Sequence, residues 1–119
     1  MRTNVRQTDA QFLYLTTIGR KSGLPRQIEI WFVYASDRFY LLAERGRSAA
    51  WVRNVERHPR VTVRLGSRAA PEVEAVARVL DQAGDAEAWQ RAQELARRKY
   101  GWGDGWPVEI TPVGPAEAA

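Results

Sequence analysis

The chain contains no cysteine, one histidine (His58), one methionine and only two lysines, Lys21 and Lys99. Without cysteine there are no disulfides, no thiolate nucleophiles and no iron–sulfur ligands, and most structural zinc sites are excluded. One histidine is too few for a His-rich metal centre and disfavours a Ser-His-Asp triad, so no metal site is expected. His58 itself precedes Pro59 and reads as a solvated turn residue. No apolar run approaches the roughly 20 residues of a membrane span, and residues 1–10 are too polar for a secretory signal, so a cytoplasmic location is expected. Chemistry in such a chain has to come from a bound organic cofactor.

What the sequence has instead is arginine. It supplies nearly all of the positive charge behind a net +4, and its planar fork recognises phosphate and carboxylate at two points. A general preference for arginine would give the same total, so the positions of these residues carry the argument. At 119 residues and 45% hydrophobic composition the chain is expected to form one domain, 1–119, with flexible ends at 1–10 and 114–119. A pocket in so small a domain has to lie at its surface or between two copies.

The pattern along the chain predicts strands at Phe12–Ile18, Gln27–Ala35 and Phe39–Ala43, the last two joined by a tight turn at Ser36-Asp37-Arg38. In the second strand Ile28, Ile30, Phe32 and Tyr34 share one face and read as core, while Gln27, Glu29, Trp31 and Val33 share the other. A basic loop at Arg45 to Ser48 leads into a helix over Ala49–Arg57 that Pro59 ends. Further strands are expected at Arg60–Leu65, Glu72–Leu80 and Val108–Val113; the alanines of Glu72–Leu80 leave a helix open as its alternative. Asp85–Tyr100 is the clearest helix, with an acidic first turn, basic last turn and Gly101 as a stop; Trp89, Ala92, Ala96 and Tyr100 lie on one stripe that reads as core. Six short antiparallel strands and two helices make a mainly β (α+β) fold, a small closed or partly open barrel. A barrel this size fills its interior with side chains, so a flat cofactor would lie outside it.

The stretch Gly19-Arg20-Lys21-Ser22-Gly23-Leu24-Pro25-Arg26 breaks the first apolar run with two glycines, three cations and a hydroxyl. Glycines at such points let N–H groups converge on an anion while Arg20, Lys21 and Arg26 supply charge and Ser22 a donor. The same residues are also those of an ordinary solvated hairpin loop. The loop lacks the Gly-Lys-Ser/Thr order of a nucleotide P-loop, and Gly101-Trp102-Gly103-Asp104-Gly105 lacks the spacing of a dinucleotide fingerprint.

Leu15 to Arg26, then Trp51-Val52-Arg53-Asn54 and His58-Pro59-Arg60-Val61-Thr62-Val63, resembles the deazaflavin-dependent nitroreductase family, over about Phe12 to Leu65. The resemblance implies a flavin-reductase-like split β-barrel. It also implies reduced coenzyme F-420, a deazaflavin with a phosphodiester and an oligoglutamate tail, as hydride donor to quinones, nitro compounds or activated double bonds. Carried over by position, Gly19, Arg20, Lys21, Ser22, Gly23 and Arg26 look like coenzyme phosphate and tail contacts. The segment Glu44-Arg45-Gly46-Arg47-Ser48 looks like a second contact segment, so Arg45, Gly46 and Arg47 join the set. Trp51 and Asn54 match helix residues beside it. Trp51 also reads as a helix anchor, and Asn54 as a backbone-capping amide.

Tyr100 is the candidate proton donor, on a helix end before an aromatic loop, Trp102 to Trp106, that would cap the acceptor site. Two departures limit the resemblance: Tyr100 stands among tryptophans where the family is tyrosine-rich, and Glu44 sits where small hydroxyl residues are common. Glu29 reads as a dimer-interface partner for arginine or as a pocket acid. The partners expected are an anionic coenzyme, a small acceptor and a second copy in a homodimer, with no nucleic acid. Alternatives are an FMN-binding split barrel, a coenzyme carrier without turnover, and a basic barrel stacking bases on Trp31, Tyr40 and Trp102.

Overall fold

A computed structural model describes residues 10–113. The expected flexible ends lie outside the described residues, apart from Ala10. Strands run β1 (Phe12–Ile18), β2 (Pro25–Trp31), β3 (Val33–Ala35), β4 (Arg38–Ala43), β5 (Arg60–Leu65), β6 (Val73–Val79) and β7 (Trp106–Pro112). Two α-helices, α1 (Ala50–Arg57) and α2 (Ala86–Tyr100), interrupt them, and a single 3-10 turn at Gly46–Ser48 precedes α1.

All seven strands form one sheet in the order β2-β1-β5-β6-β7-β4-β3, and every pairing is antiparallel. The two outermost strands, β2 and β3, are consecutive in the chain and separated by Phe32 alone. The sheet therefore rolls on itself, with one length of chain serving both edges: the split β-barrel. The strand count is seven rather than six because the expected Gln27–Ala35 strand breaks at Phe32. Phe32 packs in the barrel cluster and Val33 under α2, as alternation across a strand allows; the break shows instead in the Phe32 backbone, whose N–H and C=O bond to Tyr100 and Lys99 rather than to a neighbouring strand.

Alternation fills the barrel interior. Leu13 and Leu15 of β1, Phe39 and Leu41 of β4, Val61 and Val63 of β5, Ala75 and Ala77 of β6, and Val108 and Ile110 of β7 meet there. Val52 and Val55 of α1 complete the same cluster. The β3–β4 turn places Ser36 and Asp37 at φ 54° and 62°, the left-handed geometry whose twist matches the flanking strands.

The α2 helix packs on the outside of the wall. Trp89, Ala92 and Ala96 join Val33, Tyr40 and Leu80 in a second cluster, as the sequence stripe predicts. Trp106 stands edge-to-face with Trp89 at 5.0 Å and donates its indole N–H to Leu80 O at 2.8 Å. That anchor, with the Ala43↔Trp106 pairing, starts β7 two residues before the expected Val108. Glu72–Leu80 is a strand, not a helix.

Beneath α2 the wall holds one buried carboxylate, Glu109. It accepts from the Tyr40 hydroxyl (3.1 Å), Arg38 Nη1 (3.1 Å) and Arg78 Nε (3.3 Å). Burial and then the Glu109 charge push the Tyr40 hydroxyl above its ordinary range.

Arg78 also reaches both Asp85 oxygens at 3.1 Å. The Asp81 N–H donates to the same carboxylate at 2.8 Å. The Asp81 N–H foremost, and then Arg78, hold Asp85 below the ordinary aspartate value of 3.8. Its charged form is favoured in the folded chain, so its contribution is full above that ordinary value and is lost as pH falls through the lower folded one.

Two outcomes follow for stability. Trp89→Ala is expected to destabilise the chain by about 3–5 kcal/mol in chemical denaturation, as for a large aromatic removed from a core. Asp85→Asn is expected to lower Tm near neutral pH, with the deficit closing as melting is repeated toward about pH 3.

Candidate functional site

The Gly19–Leu24 loop is closed by its own backbone. Gly19 N–H donates to Leu24 O (2.8 Å) and Gly23 N–H to Gly19 O (2.9 Å), while Leu24 N–H donates to Ser22 Oγ (3.1 Å). Gly23 sits at φ +75°, which glycine adopts without the steric cost of a Cβ. At Gly19 a Cβ would lie 2.6 Å from Ser22 Oγ, so a side chain there would push aside the hydroxyl that accepts from Leu24 N–H. The Arg20 N–H goes to Asn54 Oδ1 at 3.1 Å. With these N–H groups consumed, capture of an anion falls chiefly to side chains. Lys21, Ser22 and Arg26 are exposed.

Asn54 is buried on α1 and reaches the loop twice. Its Oδ1 accepts from both the backbone and Nη1 of Arg20 (3.1 and 3.0 Å), and its Nδ2 donates to the buried Thr17 Oγ1 (3.2 Å). The second contact segment divides in two. Arg47 is tied to Glu56 on α1 by bonds of 2.7 and 2.8 Å, whereas Arg45 faces a cleft.

That cleft, of about 730 Å³, lies outside the barrel against β2. Ile28 and Ile30 form its floor; Glu44, Arg45, Trp51, Tyr100 and Trp102 stand around it. The expected core face of β2 packs against the barrel cluster through Ile28 and Ile30, which are only half-buried because they also line this cleft. Arg45, Trp51 and Tyr100 are brought together here; the 19–23 loop, Arg26, Gly46, Arg47 and Asn54 are outside the lining. The link between loop and cleft is β2 itself, on which Arg26, Ile28 and Ile30 occupy one face by alternation.

Tyr100 stacks its ring on Trp31, centroids 4.3 Å apart and 7° from parallel. Its hydroxyl accepts from Phe32 N–H (3.1 Å) and shares its proton between the carbonyls of Gln11 (2.6 Å) and Phe32 (2.8 Å). Burial pushes its pKa up. Lys99 Nζ donates to Ala10 O (2.7 Å) and Phe32 O (3.0 Å) and lies 4.1 Å from the centre of the Phe32 ring. The sequence reading missed Lys99, since nothing local marks a contact with a residue 67 positions away. Tyr40, invoked for base stacking, is buried with its hydroxyl on Glu109 and presents no stacking face.

The donor set suits a flat, apolar ring with an anionic tail. Aromatic and aliphatic side chains make the cleft, and Lys21, Arg26 and Arg45 have no carboxylate partner among the described residues. No group of three or more His, Cys, Asp or Glu among those residues is placed to hold a metal ion. No described helix is long and apolar enough to cross a membrane.

Solved structures share the fold at low identity. The heme storage protein HutZ of Vibrio cholerae is 17% identical with a TM-score of 0.76, over 96% of this chain and 89% of that one. A FAD-binding protein of Mesorhizobium loti is 14% identical, TM-score 0.72, over 95% and 88%. An F420-H2 dependent reductase is 23% identical, TM-score 0.62, over 84% and 92%. No curated protein matches the sequence. The sequence profile of the F420H(2)-dependent quinone reductase family matches residues 2–105, and the chain belongs to that family, as an oxidoreductase that uses reduced coenzyme F-420.

Proposed function

We propose that the cleft on β2 seats the deazaflavin ring with a small planar acceptor, such as a quinone, a nitro compound or an activated alkene, and that Lys21, Arg26 and Arg45 hold the anionic tail. One observation carries this reading. Lys21 and Arg26 at the loop and Arg45 at the cleft rim have no carboxylate partner among the described residues, and they are brought toward one strand, β2. Charge left unpaired at the two ends of one strand face suits a long polyanion better than a compact one.

When bound, the reduced deazaflavin supplies a hydride to the acceptor. The protein contributes position and dryness. Ile28, Ile30, Trp51 and Trp102 offer apolar surface to flat rings, and Arg45 stands at the rim with charge for the tail. The proton that completes acceptor reduction comes from solvent, since the Tyr100 proton is already held between two backbone carbonyls. Tyr100 acts through its ring and as a backbone anchor. A second copy would seat on the exposed Leu24 and Trp31 of this edge, 57% and 51% exposed, in a homodimer that sedimentation would detect. The cytoplasm is assigned as the place of work on composition alone.

Lys21→Ala and Arg26→Ala are each expected to raise the Kd for F-420 by about three- to tenfold in a fluorescence titration while leaving Tm unchanged, as for solvent-exposed charge contacts. Unaltered affinity in both variants would overturn the loop assignment. Tyr100→Phe is expected to cost about 1–3 kcal/mol of stability and to leave kcat with menadione within about twofold. A large fall in kcat at intact stability would restore Tyr100 as the proton donor.

A further inference from the structure

The most unusual partner of any arginine near the site is Asn54. Where seven other arginines meet carboxylates and Arg68 meets the exposed Gln27 amide, Arg20 meets a buried neutral amide, through its backbone at 3.1 Å and its Nη1 at 3.0 Å. The amide is itself fixed. Asn54 is 5% exposed between the buried Val52 and Val55, and its Nδ2 is spent on Thr17 Oγ1, a group 1% exposed. Every polar atom of the Asn54 side chain therefore points into the protein and none toward a ligand.

We propose that Asn54 is a positioning residue, not a coenzyme contact: it locks Arg20 into the loop while leaving that guanidinium's charge uncancelled for an anionic group of the coenzyme. An aspartate has the same size and would hold Arg20 at least as firmly, but it would neutralise it. The amide supplies geometry without a counter-charge. Arg20 then adds its field to those of Lys21 and Arg26 on the same short loop, and only Arg20 is fastened to a helix.

This rests on the reading of the loop as the site of the coenzyme's anionic group, so the experiment separates the two. Oxidised F-420 is titrated against the native chain, Arg20→Gln, Asn54→Asp, Asn54→Ala and the double variant Arg20→Gln/Asn54→Ala, at low and high salt. Arg20→Gln tests the loop itself, and an unchanged Kd there would sink that reading and this inference with it. If Arg20→Gln weakens binding, Asn54→Asp is expected to raise Kd by roughly tenfold, to flatten its salt dependence and to leave Tm level or higher. Affinity lost at undiminished stability is a combination that a merely structural role does not give. Native affinity in a folded Asn54→Asp chain would overturn the proposal. Should that variant not fold, the double variant decides: binding no weaker than Arg20→Gln alone shows that Asn54 acts through Arg20, whereas additive losses overturn it.

Discussion

Everything about the cleft depends on how the backbone of Phe32 is satisfied. A strand that breaks leaves an N–H and a C=O without ladder partners, and burying them unpaired costs on the order of 1–3 kcal/mol each. Here the Tyr100 hydroxyl takes the N–H, and Lys99 and Tyr100 reach the carbonyl. The break can then be permanent. It lets one length of chain edge both ends of the sheet. The bend also brings the end of α2 against β2, so the aromatic wall of the cleft and the bend share the same residues.

The second organising feature is the sorting of positive charge. Several arginines are used structurally: Arg38 and Arg78 compensate the buried Glu109, and Arg47 pins the 3-10 turn to α1. A buried carboxylate left without such partners would be strongly unfavourable. Around the loop and the cleft rim the cations lack carboxylate partners, and Arg20 is held by an amide. The same residue type thus serves two purposes.

Much of this architecture was legible in the sequence because its signals are local. The β1 and β5 boundaries follow from alternation in Phe12–Ile18 and Arg60–Leu65, and α2 from its stripe, its charged ends and the Gly101 stop. The family was legible too, since Gly19 to Arg26 and Trp51 to Asn54 are contiguous motifs. What could not be read were contacts between residues far apart in the chain. The break at Phe32 is dictated from Lys99 and Tyr100, and the buried Glu109 from Arg38, Tyr40 and Arg78. Asn54 was visible as a motif residue, but that all its polar atoms face inward depends on Thr17 and Arg20. Ile28 and Ile30 read as core and do pack against the barrel cluster, but alternation alone could not show that they also line a cleft.

The reach of Tyr100 and Lys99 also bears on synthesis of the chain. Their partners at Ala10 and Gln11 lie 89 positions earlier. Contacts of such separation form late and slow folding. On the ribosome, β1 to β5 can emerge and begin to pair long before the residues that fasten the bend leave the exit tunnel. The half-made barrel must wait with one edge unfinished, exposed to neighbouring chains. The bend, and the cleft that shares its residues, is therefore completed only after α2 has been made.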